Sequence, residues 1–270
     1  MPALYIVATP IGNLEDISLR AIRILNQVKL IAAEDTRTTK HLLDTYNIKS
    51  KLTSYYEYNK NSKLKYLIEF LRKEDVALVS EAGMPGLSDT GYELITEAIR
   101  NNIPIIAIPG ASALLTALVV SGLPIEQFIY LGFLPRQKSV RRRLFLSILN
   151  ELKTIIFFES PHRLIKSLHD ARDILGDRHL AVCRELTKLH EEVFRGSFTE
   201  AIEHFSEPRG EFTLVIEGSR TTKSVNNNIL MDELRRLKMQ GVSAKDAIKI
   251  VSEINTESRK KLYNIWLNIK

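Results

Sequence analysis

The stretch Ser80-Glu81-Ala82-Gly83-Met84-Pro85-Gly86-Leu87-Ser88-Asp89-Thr90-Gly91 decides the fold. Val76-Ala77-Leu78-Val79, just before it, is short, apolar and rich in β-branched residues, the pattern of a buried strand. After it, Tyr92 to Ile99 carries its apolar residues at helical spacing. The loop therefore leaves the carboxyl end of a strand, where open α/β sheets hold their ligands. Gly83, Gly86 and Gly91 remove side chains and let backbone approach a ligand closely. Pro85 stiffens the loop, and Ser88, Asp89 and Thr90 offer polar groups to a ligand or to the helix N-terminus.

The same strand-loop-helix unit recurs on either side. Leu4 to Ala8 reads as a strand followed by Thr9-Pro10-Ile11-Gly12-Asn13-Leu14, with Asp16 or Ser18 as cap of the next helix. Leu30 to Ala33 is a second strand ending in Glu34-Asp35-Thr36-Arg37, with Thr38 or Thr39 opening a helix. Leu52 to Tyr56 is a third strand, with Asn61 or Ser62 capping its helix. Ile105 to Ile108 runs into Pro109-Gly110-Ala111-Ser112-Ala113 and an apolar segment, Leu114 to Val120, expected as a buried helix. Alternation of this kind predicts a mostly parallel sheet covered on both faces. Three glycine loops at strand ends, 9–14, 80–91 and 109–113, point to one shared ligand cleft.

The pattern pauses at Ser121-Gly122-Leu123-Pro124, a hinge between lobes. Beyond it, strands are expected at 128–133, 154–158, 180–183, 193–197 and 212–217, with antiparallel pairing toward the end. Ser160 as N-cap with Pro161 at the first helical position is a strong helix start. Residues 219–228 are polar and turn-rich, a linker by composition. Helices at 229–237, 244–254 and 258–267 complete the chain, a helix-turn-helix-like module. The expected domains are an N-terminal α/β lobe (1–120), a C-terminal α/β lobe (121–218) and a helical module (225–270).

At 270 residues, 44% hydrophobic and 26% charged, the chain has the composition of a globular protein. Its single cysteine, Cys183, excludes an intrachain disulfide and suits a reducing cytoplasm. No apolar run approaches the ~20 residues that span a bilayer, and no basic leader precedes the first strand, so neither a membrane partner nor a signal peptide is expected. The net charge of +6 is unevenly placed: residues 136–143 carry +5, residues 225–270 carry +4, and the remainder −3. Two confined basic stretches are the footprint of a polyanion partner.

Several chemistries are excluded. No phosphate-binding G-x-x-x-x-G-K-[ST], dinucleotide G-x-G-x-x-G or nucleophile elbow G-x-S-x-G occurs, and the six histidines lack metal-ligand spacing. What remains are polar clusters at strand ends: Glu34 to Arg37, Glu159-Ser160-Pro161-His162-Arg163, and Arg184-Glu185-Leu186-Thr187-Lys188.

The loops 9–14, 33–37, 83–89 and 109–113 resemble the tetrapyrrole-methylase superfamily. Phe158 to Leu164 and Arg184 to Lys188 are similar to its branch that methylates the ribose 2′-oxygen of a cytidine in bacterial small-subunit ribosomal RNA. Glu81, Thr90 and Ala111 depart from the usual Asp, Pro and Pro of that pattern, with every glycine kept. The resemblance implies a two-lobed α/β fold with S-adenosylmethionine in a cleft between the lobes, a small C-terminal helical module and a homodimer. It also implies a decoding-region cytidine of 16S rRNA as target, within the small ribosomal subunit.

The cofactor residues so implied are Pro10, Ala82, Gly83, Met84, Leu87, Ser112, Ala113, Phe158 and Glu159. Transfer to a hydroxyl also needs a route for its proton, and Asp35, Glu185 and Glu159 are the carboxylate candidates, Asp35 ranked first. Arg37, Arg141, Arg142, Arg143, Arg163, Arg184 and Lys188 are the candidates for RNA contact. A small-molecule methylase of the same superfamily, or a non-catalytic RNA-binding assembly protein, are the competing readings. The former has no need for Arg141-Arg142-Arg143 or a basic helical tail, and in the latter the cleft is vestigial.

Overall fold

A computed structural model describes residues 2–220, 227–253 and 258–269. Two compact units emerge: Met1–Ala117 with Glu185–Glu192, and Leu118–Arg184 with Val193–Lys270.

The first unit is built on five parallel strands, β1 (Leu4–Val7), β2 (Leu30–Ala33), β3 (Lys51–Ser54), β4 (Val76–Val79) and β5 (Ile105–Ile108), in the order β3-β2-β4-β1-β5. Helices α1 (Leu19–Gln27), α2 (Thr36–Thr45), α3 (Lys60–Leu71) and α4 (Tyr92–Arg100) connect them. Period-two alternation sends Val7, Ile31, Ala33, Ala77 and Val79 to the face packed by Ala21, Ile24 and Leu25 of α1 and Leu42 and Leu43 of α2. Leu4, Ile6, Leu30, Ala32, Val76 and Leu78 take the other face with Leu67, Ile68 and Leu71 of α3 and Leu94 and Ala98 of α4. A sheet buried on both faces explains why these strands read as unbroken apolar runs.

Helix starts differ from expectation in instructive ways. Ser18 caps α1, its hydroxyl oxygen accepting from the Ala21 N–H. α2 opens at Thr36 rather than after Thr38, because the Asp35 carboxylate accepts from the Arg37 and Thr38 N–H groups. α3 opens at Lys60, with Asn59 rather than Asn61 or Ser62 before it. α5 (Ala113–Ser121) departs from the fully buried helix its composition predicts. It buries Leu114, Ala117 and Leu118 but leaves Leu115 and Val119 exposed, one turn apart.

The second unit holds β6 (Phe128–Phe133), β7 (Thr154–Glu159), β8 (His179–Arg184), β9 (Glu192–Ser197) and β10 (Phe212–Ile216), in the order β6-β7-β10-β8-β9. β6 and β7 are parallel, and β10 runs antiparallel to both β7 and β8. α6 (Lys138–Ser147), α7 (Pro161–Leu175) and α8 (Phe198–His204) cover one face. The core they share with Ile155, Phe157, Val182, Leu214 and Ile216 continues into the last three helices, α9 (Asn227–Met239), α10 (Ala244–Glu253) and α11 (Arg259–Leu267).

The compact units thus differ from the expected domain limits. Residues 185–192 join the first unit, the division falls after Ala117, and Leu230, Leu234, Val251, Leu262 and Trp266 extend the second unit's core instead of closing a module of their own. Most of the expected linker 219–228, and Ile254, lie outside the described residues.

The turn after β10 shows what holds this unit's end in place. A Cβ on Gly218 would overlap the carbonyl carbon and oxygen of Leu152 and lie 2.8 Å from Lys153 O, while the Ser219 N–H donates to Glu151 O at 2.6 Å. Backbone cannot yield as a flexible side chain does. Gly218→Ala is expected to cost at least about 2 kcal/mol, read as a lowered midpoint in urea unfolding with the slope unchanged.

Candidate functional site

Three loops converge at the carboxyl ends of β1, β4 and β5. Thr9 and Gly83 exchange two backbone hydrogen bonds, Thr9 N–H to Gly83 O at 2.9 Å and Gly83 N–H to Thr9 O at 3.1 Å, an isolated antiparallel bridge between loops 9–14 and 80–91. Gly83 has φ +78°, a conformation that favours glycine. A Cβ at this position would lie 3.5 Å from Ile11 Cγ2 and 3.7 Å from Ala111 O, so loop 109–113 closes on the same point. The buried Ser80 hydroxyl reaches back to the carbonyls of Ala82 and Gly83, each 3.3 Å away.

A fourth segment belongs to this end of the unit. The turn Glu185 to Lys188 has left-handed φ at Glu185 (+49°) and Thr187 (+67°), a cost held by its surroundings. The Asn13 N–H donates to Thr187 Oγ1 at 3.1 Å, and a Cβ on Gly12 would overlap Lys188 Cγ and lie 2.9 Å from Thr187 Oγ1. Gly12 is therefore what lets the turn lie on loop 9–14. Within it Lys188 Nζ pairs with Glu185 Oε1 at 2.9 Å.

Carboxylates gather beside the bridge, at the ends of β2 and β4. The Glu81 N–H donates to Glu34 Oε2 at 3.5 Å. Burial, with repulsion from Glu34, pushes the Asp89 carboxyl up to about 7, although a hydrogen bond from Ser80 pulls the other way. Glu34, Glu81 and Asp89 crowd negative charge into one place, which suits a cationic ligand. In the sequence Asp89 stands out only as a loop or capping residue. Its neighbour in that crowd, Glu34, is remote along the chain, so nothing local marks the pair.

The candidate carboxylates separate clearly. Asp35 is the N-cap of α2 and pairs with Arg37 at 3.0 Å; the Arg37 guanidinium and its backbone N–H hold the carboxyl at about 2. In this arrangement Asp35, ranked first among the candidate bases, caps α2 and anchors Arg37, whose side chain is 91% exposed. Glu159 is corrected. Its side chain is 0% exposed and its oxygens are taken by the Arg163 guanidinium, the Ser167 hydroxyl (2.6 Å) and the Ser160 N–H (2.8 Å). Both oxygens of that carboxylate are therefore engaged within the second unit. Glu185 lies in the docked turn, paired with Lys188.

Among the basic candidates, Arg141 and Arg163 are also corrected. Arg141 is 4% exposed, bonded to Asp170 at 2.5 Å and to the carbonyls of Pro135 and Arg136, so it holds the start of α6 and cannot reach a phosphate. Arg163 spends its three nitrogens on Ser160 Oγ, Leu134 O and Glu159. Arg142 shares Asp170 and Asp173 from a partly exposed position. Arg143 is partly buried, with Nε lacking a hydrogen-bond partner. Arg184 donates to Arg209 O at 2.7 Å. Of the remaining cofactor candidates, Pro10, Met84, Ser112 and Ala113 are half-buried, and Ala82 and Leu87 are exposed. Phe158, in the second unit, packs edge-on to Tyr130 and Phe133.

Comparison with known proteins places these features in a lineage. Residues 3–202 match the family profile of the Tetrapyrrole (Corrin/Porphyrin) Methylases. The ribosomal RNA small subunit methyltransferase I of Halalkalibacterium halodurans is 46% identical over 97% of this chain and 94% of its own length. The protein of the same name from Thermotoga maritima is 50% identical over 81% of this chain and 99% of its own. Among solved structures, a diphthine synthase described as putative, from Entamoeba histolytica, aligns with a TM-score of 0.60 at 13% identity, covering 82% of this chain and 95% of that one. A cobalt precorrin-4 methyltransferase aligns at 0.57 and 15% identity, covering 80% and 94%. At such identities these two speak for the fold alone.

The raised Asp89 carboxyl has a measurable consequence. The folded state keeps its proton up to about pH 7, whereas the unfolded chain loses it near the ordinary value of about 4. Between those limits the folded state binds more protons, so this group lowers stability as pH rises. Asp89→Asn removes the ionisation. It is expected to raise the melting temperature at pH 8 by about 2 °C or more and to change it little at pH 4.

Proposed function

The chain belongs to the tetrapyrrole methylase family, alongside proteins named ribosomal RNA small subunit methyltransferase I, and on that premise we propose that it methylates the ribose 2′-oxygen of a cytidine in the decoding region of 16S rRNA. The observation that carries this reading is the convergence of the three glycine loops and the Glu185–Lys188 turn at one end of the first unit. S-adenosylmethionine supplies the methyl group.

The residues present fit that cofactor. Gly83 offers backbone at a left-handed φ with ordinary contact distance beside it, and Glu34 and Glu81, beside the raised carboxyl of Asp89, provide negative charge for a cationic molecule. Pro10, Ala82, Gly83, Met84, Leu87, Ser112 and Ala113, all in the first unit, are the residues we assign to hold it. Met84 and Leu87 suit adenine or thioether surface, and the loop amides suit its polar edges.

The chain's own chemistry is positioning and proton removal. Holding the hydroxyl in line supplies much of the acceleration. Glu185 is assigned to accept the hydroxyl proton, since Asp35 and Glu159 are committed to a helix cap and a buried ion pair. Lys188, paired with it, sets the carboxylate's orientation. Arg37, Arg142, Arg143 and Arg184 are assigned to the RNA backbone. The reaction takes place in the cytoplasm, on the small ribosomal subunit.

The test is transfer of labelled methyl groups into small subunits from a strain lacking the modification. Glu185→Gln is expected to lower turnover by about a hundredfold or more with the cofactor's Michaelis constant kept. Asp35→Asn and Glu159→Gln are expected to act chiefly on stability. No methyl incorporation by the wild-type chain defeats the reading. For the homodimer, the exposed pair Leu115 and Val119 on α5 is the surface we assign to the second copy. Leu115→Glu is then expected to yield monomers in light scattering.

A further inference from the structure

The methylation reading leaves one surface of the first unit unused. Residues 49–66 hold Lys49, Lys51, Lys60, Lys63 and Lys65 against a single acid, Glu57, together with Tyr55, Tyr56, Tyr58 and Tyr66. This stretch is the edge strand β3, the turn after it and the start of α3.

The turn is a built structure. The Tyr55 N–H donates to Ala33 O at 2.7 Å, so β3 stays on β2 until the point where β2 gives way to Glu34 and Asp35. The Asn59 side chain accepts from the Tyr56 N–H at 2.9 Å and donates to Ser54 O and Oγ at 3.3 and 3.0 Å. Lys60 Nζ bridges Glu57 at 2.8 Å and Glu93, on α4, at 2.5 Å. On this braced turn Tyr58 is 94% exposed and Tyr56 40%, with ring centroids 6.2 Å apart and planes at 65°. Lys63 Nζ bonds Thr53 Oγ1 at 3.1 Å and lies 5.6 Å over the half-exposed Tyr66 ring.

A tyrosine so exposed gains nothing from the core, and a turn tied by this many bonds is not needed merely to let it move in water. With Lys60 neutralised by two carboxylates, the remaining positive charge of residues 49–66 belongs to Lys49 and Lys51, before and at the start of β3, and to Lys63 and Lys65 on α3. Aromatic faces interleaved with lysines are how proteins hold single-stranded nucleic acid without reading its sequence: bases stack and phosphates are neutralised. Arg37 lies in the first turn of α2, the helix that follows the neighbouring strand β2.

We propose that the β3 edge and its Tyr56–Asn59 turn form a track for a single-stranded segment of the RNA substrate, with Tyr58 stacking on an unpaired base and Lys51 and Lys65 on phosphates. The proposal rests on the rRNA reading above and names where the strand beyond the target nucleotide is gripped.

The full-length chain is assayed with 16S rRNA and with small subunits, both from a strain lacking the modification, and by fluorescence anisotropy with a labelled unstructured cytidine-rich RNA oligonucleotide. Tyr58→Ala is expected to weaken oligonucleotide binding and raise the KM for rRNA by about five- to a hundredfold, with the KM for S-adenosylmethionine unmoved. Tyr58→Phe keeps the ring and should retain wild-type values. Lys51→Gln with Lys65→Gln is expected to flatten the salt dependence of oligonucleotide binding, the logarithmic slope falling by about 0.7 for each phosphate no longer neutralised. Unchanged oligonucleotide affinity in Tyr58→Ala overturns the track. So does a KM raised for subunits but not for naked rRNA, which would assign the turn to a ribosomal protein. If the wild-type chain transfers no methyl group, the methylation reading fails by itself, and the anisotropy still decides whether this edge binds RNA.

Discussion

Parallel strands stop with backbone donors and acceptors still to be satisfied, and in this protein the loops at β1 and β4 satisfy each other. The paired hydrogen bonds between Thr9 and Gly83 force two loops from distant parts of the chain to the same point. They form because Gly83 tolerates φ +78°; a branched side chain there would have to carry the strain of a left-handed backbone. Loop 109–113 closes against the same glycine, and Gly12 admits the Glu185–Lys188 turn on the other side. The cofactor, proton-acceptor and acidic-cluster assignments in the first unit all depend on that meeting.

Charge in this protein is divided between bracing and display. Arg141, Asp170 and Glu159 are buried and Arg163 is half-buried, and each guanidinium is also bonded to backbone, Arg141 to two carbonyls and Arg163 to one. Removing one partner of such a pair strands a charge in low dielectric, so these residues tie α6 and α7 to their strands. Arg37 is the opposite case: Asp35 is low-lying, capped into α2, and presents the guanidinium to solvent. Glu34, Glu81 and Asp89 are a third case, acids gathered at one place, where burial first and Glu34 second raise the Asp89 carboxyl.

The lysine-rich edge of the first unit escapes the charge count for a simple reason. Outside the two obvious basic stretches the chain sums to −3, and acids elsewhere mask the local excess at β3. A sum over sequence cannot see a strip of surface. Pairing of β3 with β2 alone leaves that strip at the sheet's edge, and the hydrogen bonds of Asn59 give its tyrosines a fixed place.

Local pattern determined much here. Apolar strands too short for helices, followed by glycine loops and amphipathic helices, dictate a parallel sheet with both faces covered. The motifs at 9–14, 83–89 and 158–164 were enough to name the family. Contacts between remote residues were decided only by the tertiary structure. Asp35 and Glu159 look alike in sequence, each an acid at a strand end with an arginine two to four residues on. One is a half-buried helix cap and the other a fully buried ion-pair partner, because Ser167 and the body of α7 close over Glu159. The run Arg141-Arg142-Arg143 reads as one basic patch, yet helical geometry turns Arg141 inward to Asp170 on α7. The raised Asp89 carboxyl depends on burial and on Glu34, over fifty positions earlier. Protonation, burial and pairing are set by neighbours in space, and a chain of this topology brings most of them from far away.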